Sequence, residues 1–349
     1  MTGTSRRGLL DWKAGLGIAI SIAGLYWVFK GQDFGLIVSE VKQADPFYFS
    51  VATICATAVF WVRAWRWKSL LESVRPGTTF RSRFAATTIG FMGNNIFPAR
   101  VGEFLRAVAI SRTEKLPMVG CFTSIMLERM FDAFTVLGLL FLSMTMPLPA
   151  LRGAEEHTNR ALLIGLVMLV MLVLLLGFAI WPTRAVNFAE RAVKPFPARV
   201  QRPIVDALEA FLKGANALRN PRLLARAGSW SIILWLVNGI GFWFAFKAFS
   251  LPFNLNAALF FQGLLVFGVA IPSGPGFFGV YEGWAKIVLI GMWSADETTS
   301  NAFAIAYHIA GYIPVTVIGL YYASRLGISA KQAADSEDVV EKAVELEPR

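Results

Sequence analysis

The stretch GNNIFPARVGEFLR, residues 93–106, interrupts an otherwise apolar part of the chain. It holds two adjacent amides, a proline, two glycines and three charged side chains. A helix that faces lipid does not carry such a set, because irregular backbone at membrane depth survives only where protein or a water-filled cavity satisfies its polar groups. The stretch is therefore either an ordinary polar loop or the lining of a polar site inside a membrane protein.

The composition of the chain is that of a membrane protein. Of its 349 residues, 56% are hydrophobic and 16% are charged, whereas soluble domains contain about 25% charged residues. Residues 161–181 carry no charge, and about 20 apolar residues suffice to cross a bilayer. The sequence predicts an all-α polytopic protein of a cell membrane, which we expect to be the inner membrane of a bacterium.

The net charge and the cysteines argue against several other classes. The charge of +10 collects in certain loops, as the positive-inside bias of membrane proteins predicts, so we expect no nucleic-acid partner. Cys55 and Cys121 form no CxxC pair and the chain has two histidines, so we expect no disulfide framework, no metal and no cofactor. Arg6 and Arg7 precede an apolar run without a cleavage site, which predicts an uncleaved first span.

The apolar runs predict about eight membrane helices, counting two re-entrant or broken hairpins. The alternating basic loops place both termini in the cytoplasm. Residues 1–326 would form a single membrane domain, residues 184–226 a basic cytoplasmic loop with an amphipathic helix, and residues 327–349 an acidic disordered tail. The predicted spans are residues 12–29, 46–65, 116–146, 161–181, 227–249 and 302–323, with a loop at 30–45 and hairpins around 84–106 and 257–293.

The order of these segments suggests an internal repeat. Residues 12–146 and residues 161–323 each show two spans, a hairpin and a further span, and the two halves start from opposite sides of the membrane. This pattern predicts an inverted-topology repeat, in which broken helices meet near the midplane and form the substrate site. The alternative is that each hairpin is one full span or two crossings.

Five residues near the first break are candidates for substrate binding. Arg100, Glu103 and Arg106 fall within about 120° of each other around a helix. Together they could hold a phosphate, because guanidinium groups match phosphate oxygens, or they could form a salt-bridge set at the interface. Asn94 and Asn95 are candidates either for hydrogen bonds to a headgroup or for capping the broken helix.

Further candidates lie in the third span and the second hairpin. Glu128, Arg129 and Asp132 are costly in a bilayer unless paired or hydrated, so they form either a structural ion pair or a proton or headgroup site. Ser273 and Glu282 belong to IPSGPGFFGVYEG, residues 271–283, where a helix break exposes N–H groups that favour anions. Glu282 would balance a cationic headgroup or carry a proton.

Other polar residues have a structural interpretation. WVRAWRWK, residues 61–68, is typical of an anchor at the headgroup level, with aromatic rings and basic side chains at a span end. Glu282 and Lys286 have the i,i+4 spacing of a helical ion pair. We interpret Asn238, Gln262 and His308 as packing residues with satisfied hydrogen bonds.

Three motifs carry a resemblance to a known family. NNIFPARVGEFLRA, ERMFD and IPSGPGFFGVYEG resemble the lysylphosphatidylglycerol synthase transmembrane-region family, over residues 10–325. The resemblance implies a flippase-like domain that moves a membrane lipid between leaflets. We expect a membrane lipid as the substrate, and a second copy of the chain or a lipid-synthesis enzyme as alternative protein partners. The multiple peptide resistance factor of this family adds a soluble aminoacyl-transferase domain; this chain has a short tail there, so we expect no lysyl transfer.

The sequence thus predicts a flippase-like transporter of a phospholipid or a polyprenyl-phosphate-type lipid. One alternative is a membrane enzyme of lipid or glycolipid modification, with Glu103, Asp132 and Glu282 as candidate bases. Another alternative is an accessory protein or non-catalytic scaffold in such a pathway. The sequence shows no nucleotide-binding motif and no Ser/His/Asp set, so we assign no catalytic residue and favour transport over an enzymatic function.

Overall fold

A computed structural model describes residues 7–149 apart from 73, 98 and 99, residues 221–329 apart from 272, and eight single positions outside these ranges. All regular secondary structure in the described ranges is helical, which confirms the predicted all-α class. Within the two described ranges, the ten α-helices are α1 Arg7–Phe29, α2 Phe34–Gln43, α3 Pro46–Leu71, α4 Phe80–Ile96, α5 Gly102–Glu114, α6 Met118–Met144, α7 Pro221–Ala248, α8 Leu255–Val269, α9 Val280–Lys286 and α10 Glu297–Arg325.

Three of these helices are long and apolar enough to cross a membrane by themselves. They are α3, α7 from Arg222 onward, and α10. Large apolar side chains such as Ile54 and Val317 lie exposed on them, which suits a surface that faces lipid rather than water. The chain is therefore a multi-pass membrane protein. The count of about eight membrane helices stays a prediction, and the predicted span at residues 161–181 lies outside the described residues.

Helix α2 corrects the prediction of a loop at residues 30–45. Asp33 caps this helix, because its Oδ1 accepts the backbone N–H of Gly35 at 2.7 Å. Ile37 is buried in the largest apolar cluster, and Phe34 packs on Phe29 with ring centres 5.3 Å apart. The segment was predicted as a loop because its charges hide a short amphipathic pattern of ten residues.

Helices α4 and α5 form an antiparallel pair that we call the first hairpin. The backbone leaves the helical conformation between Ile96 and Gly102, and Arg100 there has a φ of 56°. The two helices approach closely because Gly90 and Gly93 face Gly102. The side chain of Asn94 spans the break, since its Oδ1 accepts the N–H of Gly102 at 2.9 Å.

Helices α8 and α9, with the π-helical turn Ile287–Met292 that follows, form the second hairpin. Its two arms are antiparallel: Gly268 faces Trp284, and the rings of Phe253 and Trp293 lie 4.7 Å apart. Helix α1 packs on its irregular turn, where Ser21 Oγ accepts the N–H of Gly274 at 2.8 Å.

The two hairpins meet at their tips. Arg100 of the first hairpin donates from Nη2 to the carbonyl oxygen of Val269, 2.6 Å away at the end of α8. Its guanidinium group also lies 5.7 Å from the centre of the Phe277 ring in the turn of the second hairpin. Helix α10 contacts both hairpins, so these elements form one packed unit. The inverted repeat stays a prediction, because the first span of its second half lies at residues 161–181.

Two further domain predictions concern residues that are mostly outside the described ranges. The basic segment 184–226 is described continuously only from residue 221, where it forms the first turns of α7. Of the tail after Ser329, four positions are described and all four are helical. Val340 there is buried in the same apolar cluster as Trp67. The disordered tail stays a prediction.

Replacing Gly102 by alanine tests the close contact within the first hairpin. A Cβ at this position would collide with the carbonyl oxygen of Gly90, so we expect a loss of stability of about 1–3 kcal/mol. The measurement is the thermal midpoint of the purified protein in detergent. Gly138→Ala on α6 is the control, since its Cβ meets no atom within 4 Å. Equal midpoints for the two variants would contradict the described hairpin.

Candidate functional site

Five charged side chains are buried between α3, α5 and α6. Helix α6 contributes Glu128 and Asp132, which are 0% and 6% exposed. Helix α3 contributes Arg63 and Arg66, and α5 contributes Arg106, all of them buried. The spacing i,i+4 places the two acids on one face of α6, and the spacing i,i+3 places the two arginines on one face of α3. The sequence thus directs complementary charges at each other across two helices.

Glu128 accepts the densest set of contacts in this group. Arg106 binds it with both ends of its guanidinium, from Nη1 to Oε1 at 2.9 Å and from Nη2 to Oε2 at 2.8 Å. The same guanidinium stacks over Trp67, 3.9 Å from the ring centre. Arg66 Nη2 lies 3.1 Å from Oε1, in an ion-pair contact whose angle is outside hydrogen-bond geometry. Such forked pairs hold both side chains in fixed orientations.

Asp132 connects α6 to α3 and α7. Arg63 Nη1 donates to its Oδ2 at 2.9 Å and also to Glu128 Oε1 at 3.2 Å. Arg66 Nη1 and the indole N–H of Trp235 both donate to Oδ1, at 2.5 and 3.0 Å. With several donors to each carboxylate, the group satisfies the condition under which buried charges are tolerated.

Arg129 and Glu103 complete the group at its more exposed edge. Arg129 lies 3.3 Å from Glu128 and 3.6 Å from Glu103. Four arginines therefore face three carboxylates, which leaves one positive charge in excess within the described residues. We call these seven residues the arginine cluster: Arg63, Arg66, Glu103, Arg106, Glu128, Arg129 and Asp132.

A cavity of about 240 Å³ lies beside the arginine cluster. Arg63 belongs to both, since it pairs with the acids and also lines the cavity. The first hairpin contributes Asn95 to the wall, and the second hairpin contributes Phe277 and Tyr281. The other walls are mostly apolar, with a few polar side chains such as Asn238. A largely apolar cavity with few polar groups is the usual form of a ligand site.

A second buried pair, Glu282 and His308, adjoins the same cavity. Glu282 is 2% exposed, and its Oε1 lies 2.7 Å from Nδ1 of His308. Its Oε2 accepts the N–H of Gly279 at 2.7 Å. This corrects the predicted pairing of Glu282 with Lys286, whose Nζ instead lies 2.7 Å from Oε1 of Glu297. Lys286 forms its ion pair with Glu297 of α10, because packing between the two helices brings this acid closer to Lys286 than the acid one turn away on its own helix.

The two asparagines have different positions. Asn94 holds the break of the first hairpin together, which corresponds to the capping alternative. Asn95 Nδ2 donates to Thr316 Oγ1 at 2.7 Å, and Tyr312 Oη donates to the backbone oxygen of Asn95 at 3.3 Å. Asn95 therefore fixes the first hairpin to α10 at the cavity wall.

The structure brings most of the predicted site residues together, and the exceptions are Asn94, which holds the break of the first hairpin, Arg100 and Ser273. Arg100 does not share a helix face with Glu103 and Arg106, because α5 begins only at Gly102. Ser273 is absent from the described cavity wall, and its backbone lies against Gly17 of α1. The residues in the arginine cluster or the adjoining pair are Glu103, Arg106, Glu128, Arg129, Asp132 and Glu282.

Three residues of the site were given another role from the sequence. Arg63 and Arg66 were predicted to be interface anchors, which is wrong, because they are 5% and 0% exposed and pair with α6. Arg63 and Arg66 lie on one helix face, and Glu128 and Asp132 lie on one face of a helix 65 residues later. These two matching pairs of opposite charge are the signal that could have identified them. His308 was interpreted as a packing residue, whereas it pairs with a buried acid and lines the cavity.

Comparison with known proteins identifies chains that are similar to this one. The family model described as "Lysylphosphatidylglycerol synthase TM region" matches residues 15–319. The chain is 22% identical over 335 residues to Glycosyltransferase AglD of Haloferax volcanii, and the match covers 87% of this chain and 52% of AglD. It is also 22% identical to a UPF0104 membrane protein of Methanocaldococcus jannaschii, covering 65% of this chain and 90% of that protein. The chain thus spans about half the length of AglD.

Replacing Glu128 by glutamine tests the charge balance of the arginine cluster. The substitution leaves three buried guanidinium groups with one carboxylate fewer, so we expect a loss of about 3–5 kcal/mol of stability, measured as thermal unfolding in detergent. Glu72→Gln is the matched control: Glu72 pairs with the exposed Arg226 at 3.2 Å, and such a pair contributes about 1 kcal/mol at most. A Glu128→Gln protein as stable as the control would contradict the described cluster.

Proposed function

The chain belongs to the lysylphosphatidylglycerol synthase TM region family, and from this premise we propose that it moves a phosphate-bearing membrane lipid from one leaflet to the other. The observation that carries the proposal is the position of Arg63, which joins a buried cluster with excess positive charge to a cavity between two broken hairpins. The proposal names no covalent step, and it assigns the headgroup to the cavity.

The charge of the site favours an anionic headgroup. An unbalanced positive charge in a low-dielectric interior is unfavourable, and an anion that enters the cavity beside Arg63 would balance it. Arginine is also the side chain whose planar fork matches phosphate oxygens. Nε of Arg63 is buried and has no hydrogen-bond partner among the described residues. Arg63 is therefore held in place by the acids while part of its guanidinium is not committed to them.

The size of the cavity favours a headgroup over a whole lipid. Pockets that enclose drug-sized molecules have volumes of about 300–1,000 Å³. The cavity of about 240 Å³ is smaller, so the apolar chains of a lipid would remain in the surrounding bilayer. A phosphate with a small substituent fits this description, whether it comes from a phospholipid or from a polyprenyl phosphate.

The broken hairpins support a transport function. Discontinuous helices whose tips meet at a substrate site are a recurrent feature of transporters with alternating access. Here the tips meet through Arg100 and Val269, and Asn95 and Tyr281 of the two hairpins line one cavity. Movement of the hairpins relative to each other would open the cavity to either side in turn.

A second candidate function is group transfer to or from a lipid, because one relative bears the name of a glycosyltransferase. That similarity extends over 52% of the relative's length, so the activity of the whole relative does not transfer with it. The two functions differ in the fate of the lipid. Mass spectrometry of the lipid after incubation with the protein should return its original mass under transport and a changed mass under group transfer.

Filling the cavity tests the transport function. Gly311 lines the cavity and a Cβ there meets no atom within 4 Å, so we choose Gly311→Leu to add a side chain at the cavity wall. Vesicles that contain the wild-type protein should transfer a fluorescent phospholipid, or a fluorescent polyprenyl phosphate, faster than protein-free vesicles. We expect Gly311→Leu to reduce the rate to the protein-free level, measured by chemical bleaching of the outer leaflet.

Two controls accompany this experiment. Gly138→Leu makes the same change on α6 outside the cavity, and it should retain the wild-type rate. Arg63→Gln should slow transfer by about tenfold through the loss of a charge-assisted contact, whereas Arg325→Gln at the exposed end of α10 should not. The proposal is wrong if neither lipid moves faster than in protein-free vesicles, or if the two leucine variants behave alike.

A further inference from the structure

We infer that Glu282 and His308 form a proton-binding site that is linked to the headgroup cavity, so that the anionic headgroup and a proton bind together. This inference rests on the proposed function, because it assumes an anion in the cavity. It adds a second ligand, the proton, and assigns it to residues that lie apart from the arginine cluster.

The geometry gives the proton a defined position. Nδ1 of His308 is 2.7 Å from Oε1 of Glu282, and an ionised carboxylate only accepts hydrogen bonds, so with Glu282 ionised the hydrogen between them lies on this ring nitrogen. Nε2 has no hydrogen-bond partner among the residues that the structure describes, and His308 lines the cavity. A proton from the cavity therefore binds to the lone pair of Nε2, and the contact with Glu282 stays in place.

The charge of the pair then depends on this one proton. With a neutral imidazole, the pair carries the single negative charge of Glu282. With an imidazolium, the pair is neutral. Both residues are at least nine-tenths buried, so a negative charge here repels an anion in the adjoining cavity more strongly than it would in water. Uptake of the proton removes this repulsion, and by thermodynamic reciprocity the bound anion makes proton uptake more favourable.

The neighbouring titratable groups do not replace this switch. Lys286, one turn along α9, is held by Glu297 and by the carbonyl oxygen of Val28. Helix α8 contributes no titratable side chain. Among the described side chains, the other titratable groups on the elements packed against α9 and α10 are Tyr26 of α1, Glu40 and Lys42 of α2, Tyr48, Cys55, Arg63, Arg66 and Lys68 of α3, Arg81 and Arg83 of α4, Arg100 at the tip of the first hairpin, Arg222, Arg226 and Lys247 of α7, Tyr281 of α9, and Tyr307, Tyr312, Tyr321, Tyr322 and Arg325 of α10.

The pair also connects the tips of both hairpins. Oε2 of Glu282 holds the N–H of Gly279, which closes the turn of the second hairpin at a φ of 84°. His308 stands one turn before Tyr312 on α10, and Tyr312 contacts Asn95 of the first hairpin. A change in the charge of the pair therefore acts on the elements that enclose the headgroup cavity.

The test measures the affinity of the full-length protein for a short-chain phosphatidylglycerol in detergent at pH 5.5 and pH 8.0. The phosphodiester of this probe keeps its single negative charge over the range, whereas imidazoles titrate within it. We expect the wild-type protein to bind about tenfold more tightly at pH 5.5, which is a typical size for coupling between two sites. A diacylglycerol, which lacks the phosphate, should show no such pH dependence.

Two variants should change the affinity in opposite directions. His308→Gln fixes the negative charge of Glu282, so binding should be weak at both pH values. Glu282→Gln removes that charge, so binding at pH 8.0 should rise to about the wild-type level at pH 5.5. A purely structural role of the pair would instead weaken binding in both variants. His157→Gln, at the other histidine of the chain, should keep the wild-type pH dependence.

The outcomes separate this inference from the proposed function. Equal wild-type affinities at the two pH values would overturn the proton site. Weaker binding in both the His308→Gln and the Glu282→Gln variant would also overturn it. So would loss of the pH dependence in the His157→Gln variant. Transport in vesicles then remains as a separate measurement. Absence of lipid transfer by a wild-type protein that shows the expected pH-linked binding would overturn transport and leave the proton site standing.

Discussion

The pairing of Glu128 and Asp132 with arginines of other helices is the constraint on which the rest of the structure depends. Charged groups cannot stay unpaired in a bilayer interior, so the two acids of α6 require partners at fixed positions. Those partners are supplied by α3 and α5, while Trp235 of α7 donates to Asp132. The electrostatic requirement thus sets the mutual positions of four helices, and apolar packing fills the space between them.

The first hairpin is held between this cluster and the second hairpin. Arg106 anchors its second arm to Glu128, and Arg100 anchors its tip to Val269. Three glycines allow its arms to approach closely, and Asn94 satisfies the backbone at the break. The polar residues of the opening stretch are therefore divided between two tasks. Some hold the irregular backbone, and others connect the hairpin to buried charges and to the cavity wall.

Hydropathy and composition predicted the helical class and the membrane location, because both follow from the chain's own local pattern. The breaks after α4 and after α8 were also predictable, since glycine, proline and amide side chains mark them in the sequence. The role of Arg63 and Arg66 was not, because a basic and aromatic span end looks the same whether it meets headgroups or a buried acid. The partner of Glu282 was missed for a similar reason: His308 is 26 residues away, and only tertiary packing brings it within reach.

The surplus arginine has a further consequence for the stability of the protein. A ligand that binds only the folded state stabilises it. The gain in free energy grows with the logarithm of the ratio between the ligand concentration and the dissociation constant. Since the cluster lacks one negative charge among the described residues, an anionic lipid would be the missing counter-ion of the fold itself. Under the proposed function, the lipid-free protein would be the less stable form, and detergents that strip anionic lipids would weaken the helix contacts around the cluster.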